Sequence, residues 1–257
     1  MPGEKPGAAA GAGRQPVKRA LVLQHMDHDT PGRFLDFFIA DGILPTSVRL
    51  WAGQEIPPLA DFDLMFVLGG AMDVWEVEEN PWLAGEKEAI REWVAERGKP
   101  YIGLCLGHQL LASALGGEVG LAKEGEVGVH DVTVDGAARG HRLFEGLEGR
   151  HKVMQWHHAE IKKPPKDAAV LASSPRTAVQ AIAIDDHAIG LQFHAEFSAQ
   201  TVAGWESLPG YIAALERELG AGAYARVSGE AYPLMPQMGA MARRLYDNLK
   251  SASGLVR

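Results

Sequence analysis

Cysteine is nearly absent from this chain: Cys105 is the single one among 257 residues. A lone thiol forms no internal disulfide, so the fold does not depend on an oxidising compartment. Long apolar runs are absent as well. No stretch approaches the ~20 residues that cross a bilayer as a helix, so no membrane span is expected. Basic stripes are missing too. Asp and Glu outnumber Lys and Arg by 33 to 25, for a net charge of -8. A field of that sign repels phosphate backbones and anionic lipid, so neither nucleic acid nor a membrane is expected as a partner. Gly69-Gly70 is not followed by the Gly-Lys-Ser/Thr of a phosphate loop. Neither His157-His158 with Glu160 nor His25 with His28 has the spacing of a metal site. No metal or cofactor is therefore expected. Residues 1–18, rich in Gly, Ala and Pro, contain no continuous apolar segment and do not read as a secretory signal. They are expected to form a disordered leader on a cytoplasmic protein.

Apolar residues, by contrast, make up 46% of the chain, enough for the core of one large α/β domain. Strand and helix patterns alternate from residue 19 onward. Arg19–Gln24, Ser47–Trp51, Asp63–Leu68 and Pro100–Leu104 read as buried strands. Between them, Phe34, Leu35, Phe38 and Ile39 recur at helical spacing. Pro81 opens a second helix and Gly98 closes it. Residues 107–115 form a third. Such alternation predicts a mostly parallel central sheet flanked by helices. Val127–Val134 and Val179–Ile184 instead alternate apolar with polar residues, which predicts a small antiparallel sheet with one wet face. Asp185-Asp186 reads as a turn before Ala188–Phe193. Residues 199–257, with helical patterns over 208–219 and 238–249, form a C-terminal extension of the same domain.

Cys105 sits between the apolar strand Pro100–Leu104 and a helix, with Gly103 and Gly107 two residues to either side. A nucleophile on a tight strand-to-helix turn needs such neighbours, because a side chain at either position collides with the adjoining element. The helix N-terminus beside the sulfur suits an anion. The backbone N–H of Leu106 points where an oxyanion would develop. Free cysteine is most often a buried core residue. The glycine-flanked turn argues for chemistry instead. A cysteine nucleophile wants a histidine base and a group that orients it. His194 ends the run Ile189–Phe193, and Glu196 follows two residues later. In extended chain the two side chains share a face. On their own, His194 and Glu196 read equally as surface residues at a strand end.

Taken together, Gly103-Leu-Cys105-Leu-Gly107-His-Gln109 and Phe193-His194-Ala195-Glu196 resemble the elbow and the distal motif of class I glutamine amidotransferases. Gly69-Gly-Ala-Met-Asp-Val-Trp-Glu76 with Asn80-Pro-Trp-Leu83 is similar to their stand-alone GMP synthetase-like subgroup. The resemblance spans residues 19–198 and implies a flavodoxin-like three-layer fold. It also implies a triad of Cys105 as nucleophile, His194 as base and Glu196 as orienter. Gly70 and Leu106 would supply the oxyanion hole, and Gln109 would contact the glutamyl group. Gln155-Trp156-His157-His158 resembles the family loop that binds the substrate's amino and carboxyl groups, although this chain departs there from the usual Ser-His-x-Asp. Ala195 stands where proline is common, a change that loosens the link and removes no chemistry.

The expected activity is hydrolysis of the γ-amide of glutamine, or of a γ-glutamyl compound, through a cysteine thioester. Residues 199–257 are too few for a nucleotide-activating domain. Three readings stay open. One is a stand-alone γ-glutamyl hydrolase or transferase. Another is a glutaminase whose synthetase is a separate protein. The third is a catalytically silent binding module of the same fold. The C-terminal helices are candidates for a cleft cap or a homodimer face.

Overall fold

The structure, a computed structural model, describes residues 17–255. The leader expected over 1–18 lies outside the described residues except for Val17 and Lys18. Nine strands form one sheet: β1 (Arg19–Gln24), β2 (Leu44–Arg49), β3 (Leu64–Val67), β4 (Tyr101–Leu104), β5 (Glu118–Val134), β6 (Gly149–Lys163), β7 (Ala168–Ser173), β8 (Ala181–Ile184) and β9 (Ala188–Leu191). Their order is β2-β1-β3-β4-β9-β8-β7-β5-β6.

Strands β2, β1, β3, β4 and β9 pair in parallel, whereas β9, β8, β7, β5 and β6 pair antiparallel. The expectation of a mostly parallel sheet beside a small antiparallel one is therefore corrected. The sheet is single and mixed, and it changes sense at β9. The physical reason is that β9 exposes two ladder edges. One accepts β4 in parallel, and the other accepts β8 across the tight turn at Asp185-Asp186, where Asp185 has φ 45°. A hairpin partner needs no crossover helix, so the sheet extends directly from the parallel half.

Helices cover both faces of the parallel half. Alternate residues of β1 enter different cores: Ala20 and Val22 join Phe34, Phe38 and Tyr246, while Leu21 and Leu23 join Leu83, Trp93 and Leu110. The first core belongs to α1 (Arg33–Ala40) and α7 (Met235–Ser253), the second to α2 (Trp82–Arg91) and α3 (Leu106–Ala114). Phe66 meets Phe34 at 5.0 Å and Phe38 at 5.5 Å between ring centroids. Truncating such a residue to Ala costs roughly 3–5 kcal/mol. A third core gathers Met154, Trp205, Leu215, Val227 and Met238 under α4 (Ala199–Gly204), α5 (Pro209–Leu219) and α6 (Ala223–Ala231). No helix among the described residues is long and apolar enough to cross a membrane.

Candidate active site

Cys105 caps α3 with φ 49° and ψ -101°, a conformation that non-glycine residues rarely hold. Such strain costs on the order of 1–3 kcal/mol and persists only where neighbours enforce it. Here they do. A Cβ on Gly103 would lie 2.5 Å from the carbonyl oxygen of Gly107, and a Cβ on Gly107 would overlap the carbonyl of Val67. Tyr101 Oη donates to Gly107 O at 2.8 Å, and Cys105 N–H donates to Leu191 O at 2.8 Å. The turn thus presents the sulfur between β4 and β9, where it is 5% exposed.

His194 follows β9. Its backbone N–H donates to Met154 O at 2.9 Å, and its ring stacks on Phe197 with centroids 4.3 Å apart. Nδ1 lies 2.7 Å from Glu196 Oε1, and Nε2 is buried without a hydrogen-bond partner among the described residues. Glu196 reaches the ring through a turn at Ala195-Glu196, not along extended chain. Its carbonyl accepts the Arg33 N–H at 3.0 Å, and Gly32, at φ 52°, leaves no room there for a Cβ. The start of α1 therefore fixes the backbone that carries the carboxylate. Burial opposes a charge on His194, but the Glu196 carboxylate and the Cys105 thiol outweigh it and hold the imidazole well above its usual pKa. Gly69 is where the two side chains converge: a Cβ there would lie 3.2 Å from His194 Cε1 and 3.6 Å from Cys105 Cβ.

Gly70 borders the same cavity, and a Cβ on it would press on Met72, Leu106 and His25. His25 Nδ1 meets Gly69 O at 2.7 Å, and Nε2 meets Glu86 Oε1 at 2.9 Å. Both side chains are wholly buried, and the ring stacks on Trp82. In a trans peptide the C=O and the following N–H point in opposite directions. Anchoring the Gly69 carbonyl on His25 therefore turns the Gly70 N–H away from that anchor.

The cavity at the thiol encloses about 380 Å³ and is walled by Cys105, His194, Gly70 and Trp156. Of the other residues expected to bind substrate, Gln109 is buried, with Nε2 donating to Ala159 O at 3.0 Å and to Gln192 Oε1 at 3.1 Å. Residues 155–158 lie in strand β6, not in a loop. Gln155 donates to Gln180 and His157 pairs with Glu126, both beneath the surface. His158 is exposed beside Glu218. Only Trp156 of the four lines the cavity. Its carbonyl lies 3.6 Å from Sγ. His108, next to Gln109, is fully buried, and that burial lowers its pKa to about 3, so it packs as a neutral ring.

Several residues at this site escape the motif reading. Gln192 points Nε2 at Sγ from 3.7 Å. Its place two residues before His194 is the one hint in the sequence. Asp29 and Tyr211 share a 2.9 Å hydrogen bond on the cavity wall, joined from distant parts of the chain. Nothing local in the sequence pairs them.

A family model described as glutamine amidotransferase class-I matches residues 44–204. The chain is 31% identical over 183 residues to a glutamine-hydrolysing GMP synthase of Aeropyrum pernix, covering 69% of this chain and 33% of that one. It thus spans about a third of that relative's length. It is 32% identical over 151 residues to one of the subunits of the glutamine-hydrolysing GMP synthase of Sulfolobus acidocaldarius, covering 58% of this chain and 76% of that one. Among solved structures, a glutamine amidotransferase from Thermotoga maritima superposes with a TM-score of 0.82 at 26% identity, covering 91% of this chain and 99% of that one.

Proposed function

The chain belongs to the class I glutamine amidotransferase family, in its GMP synthase-like subgroup, and from that premise we propose that it hydrolyses the γ-amide of glutamine or of a γ-glutamyl compound through a thioester on Cys105. The observation that carries this reading is the pairing of a strained Cys105 turn with a His194 ring that is tied to Glu196 on one nitrogen and unpartnered on the other. The Cys105 sulfur, as thiolate, attacks the γ-carbonyl carbon. The oxyanion that forms is held by the N–H groups of Gly70 and Leu106, each such donor being worth about 3 kcal/mol of barrier. The imidazolium of His194 gives its proton to the departing nitrogen, and the C–N bond breaks to leave a γ-glutamyl thioester. His194 next takes a proton from water, the hydroxide attacks the thioester carbon, and glutamate leaves as the sulfur is restored. Glu196 holds the ring in one tautomer and stabilises its charged form. Gln192 stabilises the anionic sulfur.

The test is release of ammonia or amine from a panel of γ-glutamyl substrates, with Cys105→Ser as control. Turnover by the wild type and none by the variant is expected. Equal turnover by both would sink the mechanism. A second reading draws on the Sulfolobus relative, which is one part of a GMP synthase assembled from separate chains: the glutaminase would serve a separate synthetase chain. It predicts negligible activity in the isolated protein, restored by a co-purifying partner.

A further inference from the structure

The cavity at the thiol has an apolar wall beside His194 that a departing ammonia does not need. Because His194 protonates the departing nitrogen, the leaving group must lie along the wall that adjoins its ring, away from the Gly70 N–H. That wall is made of Phe197, stacked on His194 at 4.3 Å, and of Trp156 and Tyr211, whose rings meet edge to face at 5.9 Å. Met26 and Ala214 complete its apolar surface. Tyr211 and Ala214 belong to α5, beyond the residues the family model matches. Ammonia, about the size of a water at ~30 Å³, needs no such surface. A second cavity of about 630 Å³ shares His194, Phe197, Tyr211 and Asp29 with the cavity of about 380 Å³. Among the residues lining the first cavity, Asp29 carries the only carboxylate. Tyr211 Oη donates to its Oδ1 at 2.9 Å, and no described residue donates to Oδ2.

We propose that this wall is a subsite for an organic amine, and that the substrate is the γ-glutamyl amide of an apolar amine bearing a second, cationic nitrogen. The inference rests on the hydrolase reading above and deepens it. The aromatic faces receive the hydrocarbon portion and attract a cation, and the Asp29 carboxylate pairs with the far ammonium. An amine carrying a carboxylate, as in a γ-glutamyl amino acid, meets Asp29 with like charge. Each buried methylene adds roughly a fourfold gain in binding, so a chain of three or four carbons outweighs glutamine by about two orders of magnitude.

The experiment compares kcat/KM for glutamine, a γ-glutamyl n-butylamide, a γ-glutamyl amide of 1,4-diaminobutane and γ-glutamyl-alanine, in the wild type, Asp29→Asn and Ala214→Trp. The diamine amide is expected to exceed glutamine at least tenfold and γ-glutamyl-alanine more. Asp29→Asn should narrow the preference for the diamine amide over the butylamide at least fivefold. Ala214→Trp should lower kcat/KM for both organic amides at least tenfold more than for glutamine. If Ala214→Trp does not fold, the wild-type panel and Asp29→Asn still decide. Glutamine turned over as well as the amides overturns the subsite while leaving the hydrolase reading in place. An equal loss on all four substrates in Asp29→Asn assigns that carboxylate to the glutamyl end and also overturns it. No turnover of any substrate, with Cys105 unlabelled by an electrophilic glutamine analogue, removes both readings.

Discussion

One histidine–glutamate pair is buried in the antiparallel half of the sheet, and another, nearly as buried, sits just past the end of β9. In the antiparallel half, His157 on β6 faces Glu126 on β5, with Nε2 3.2 Å from Oε2. Where the parallel half ends, His194 faces Glu196 at 2.7 Å. Burial and chemistry are nearly alike, but the remaining atoms differ. His157 Nδ1 is 3.0 Å from Ala159 O, and Glu126 also accepts from Ser174 at 2.8 Å and Gln180 at 2.6 Å. His194 Nε2 and Glu196 Oε2 have no hydrogen-bond partner among the described residues. Saturated hydrogen bonding marks a pair that holds structure, because buried polar groups are expected to be satisfied. A free ring nitrogen beside a strained thiol marks a pair left open for a reacting atom.

The most direct way to break this contrast is His194→Gln. With the nucleophile's partner gone, kcat/KM should fall by about 10³-fold or more, and the midpoint of thermal unfolding should stay within a few degrees. Amine release and a melting curve on the same preparation check both. A variant that keeps a tenth of wild-type activity would remove His194 from the chemistry. Glu196→Gln comes next, with a loss of roughly 10²–10⁴ by analogy with other triads. Its pH profile is the sharper readout. The Glu196 charge favours imidazolium against the opposing pull of burial. Removing it lowers the His194 pKa, so the alkaline limb of the rate profile should move to lower pH. An unmoved limb would deny the coupling.

A third pair lies between these extremes. His25 uses both ring nitrogens, one for Glu86 and one for Gly69 O, so by the same reasoning the ring is structural, while Glu86 Oε2 has no partner among the described residues. The ring's carbonyl acceptor, however, belongs to the peptide that carries the Gly70 N–H. Burial works against charge on His25, but Glu86 and the Gly69 carbonyl raise its pKa overall. Glu86→Gln keeps the shape and removes the charge. We expect kcat to fall about tenfold, part of the value of one oxyanion donor, with KM nearly unchanged. A rise in KM at constant kcat would separate this pair from the oxyanion hole.

How much of this was legible in the sequence follows from the range of each interaction. Cys105 with its two glycines is a local signature, because the turn's crowding acts between near neighbours in the chain. Strand β1 is equally local, since an unbroken apolar run fixes it. The continuity of the sheet was not legible, because β9 pairs β4 from far along the chain and β8 across a turn, and only the second pairing has a local sign. The family resemblance makes residues 155–158 a loop, whereas they lie in β6. Their alternating burial in β6 follows from pairing with β5, which carries Glu126, and from Gln180 just before β8, and no short window contains these. Asp29 and Tyr211 meet only because the fold brings α5 to the segment that follows β1.

The smallest expected effect on rate comes from Glu126, and its effect on stability sets it apart from Glu196. Burial raises the energy of the charged carboxylate, but the hydrogen bonds from His157 and Ser174 prevail and hold its pKa below the ordinary value. A carboxylate with a depressed folded pKa adds stability above its unfolded pKa and loses it as pH falls through the folded one. The His194 pair runs the other way: a raised histidine pKa adds stability below about 6.5 that is lost as pH rises through the folded value. Glu126→Ala should therefore cost about 3 kcal/mol at pH 7, since it strands buried partners, or roughly 10 °C in the unfolding midpoint. The deficit relative to wild type should shrink as pH falls below the unfolded carboxylate value of about 4.3 and toward the lower folded one. The folded fraction should keep its specific activity within about threefold, because no atom of Glu126 lines the cavity at the thiol. Denaturant melts at pH 7 and pH 3.5, paired with amine release at pH 7, measure all three quantities. A deficit that does not change with pH would mean that Glu126 stabilises by its shape and not by its charge. A large loss of rate in the folded fraction would place the antiparallel pair in the same functional class as His194 and Glu196.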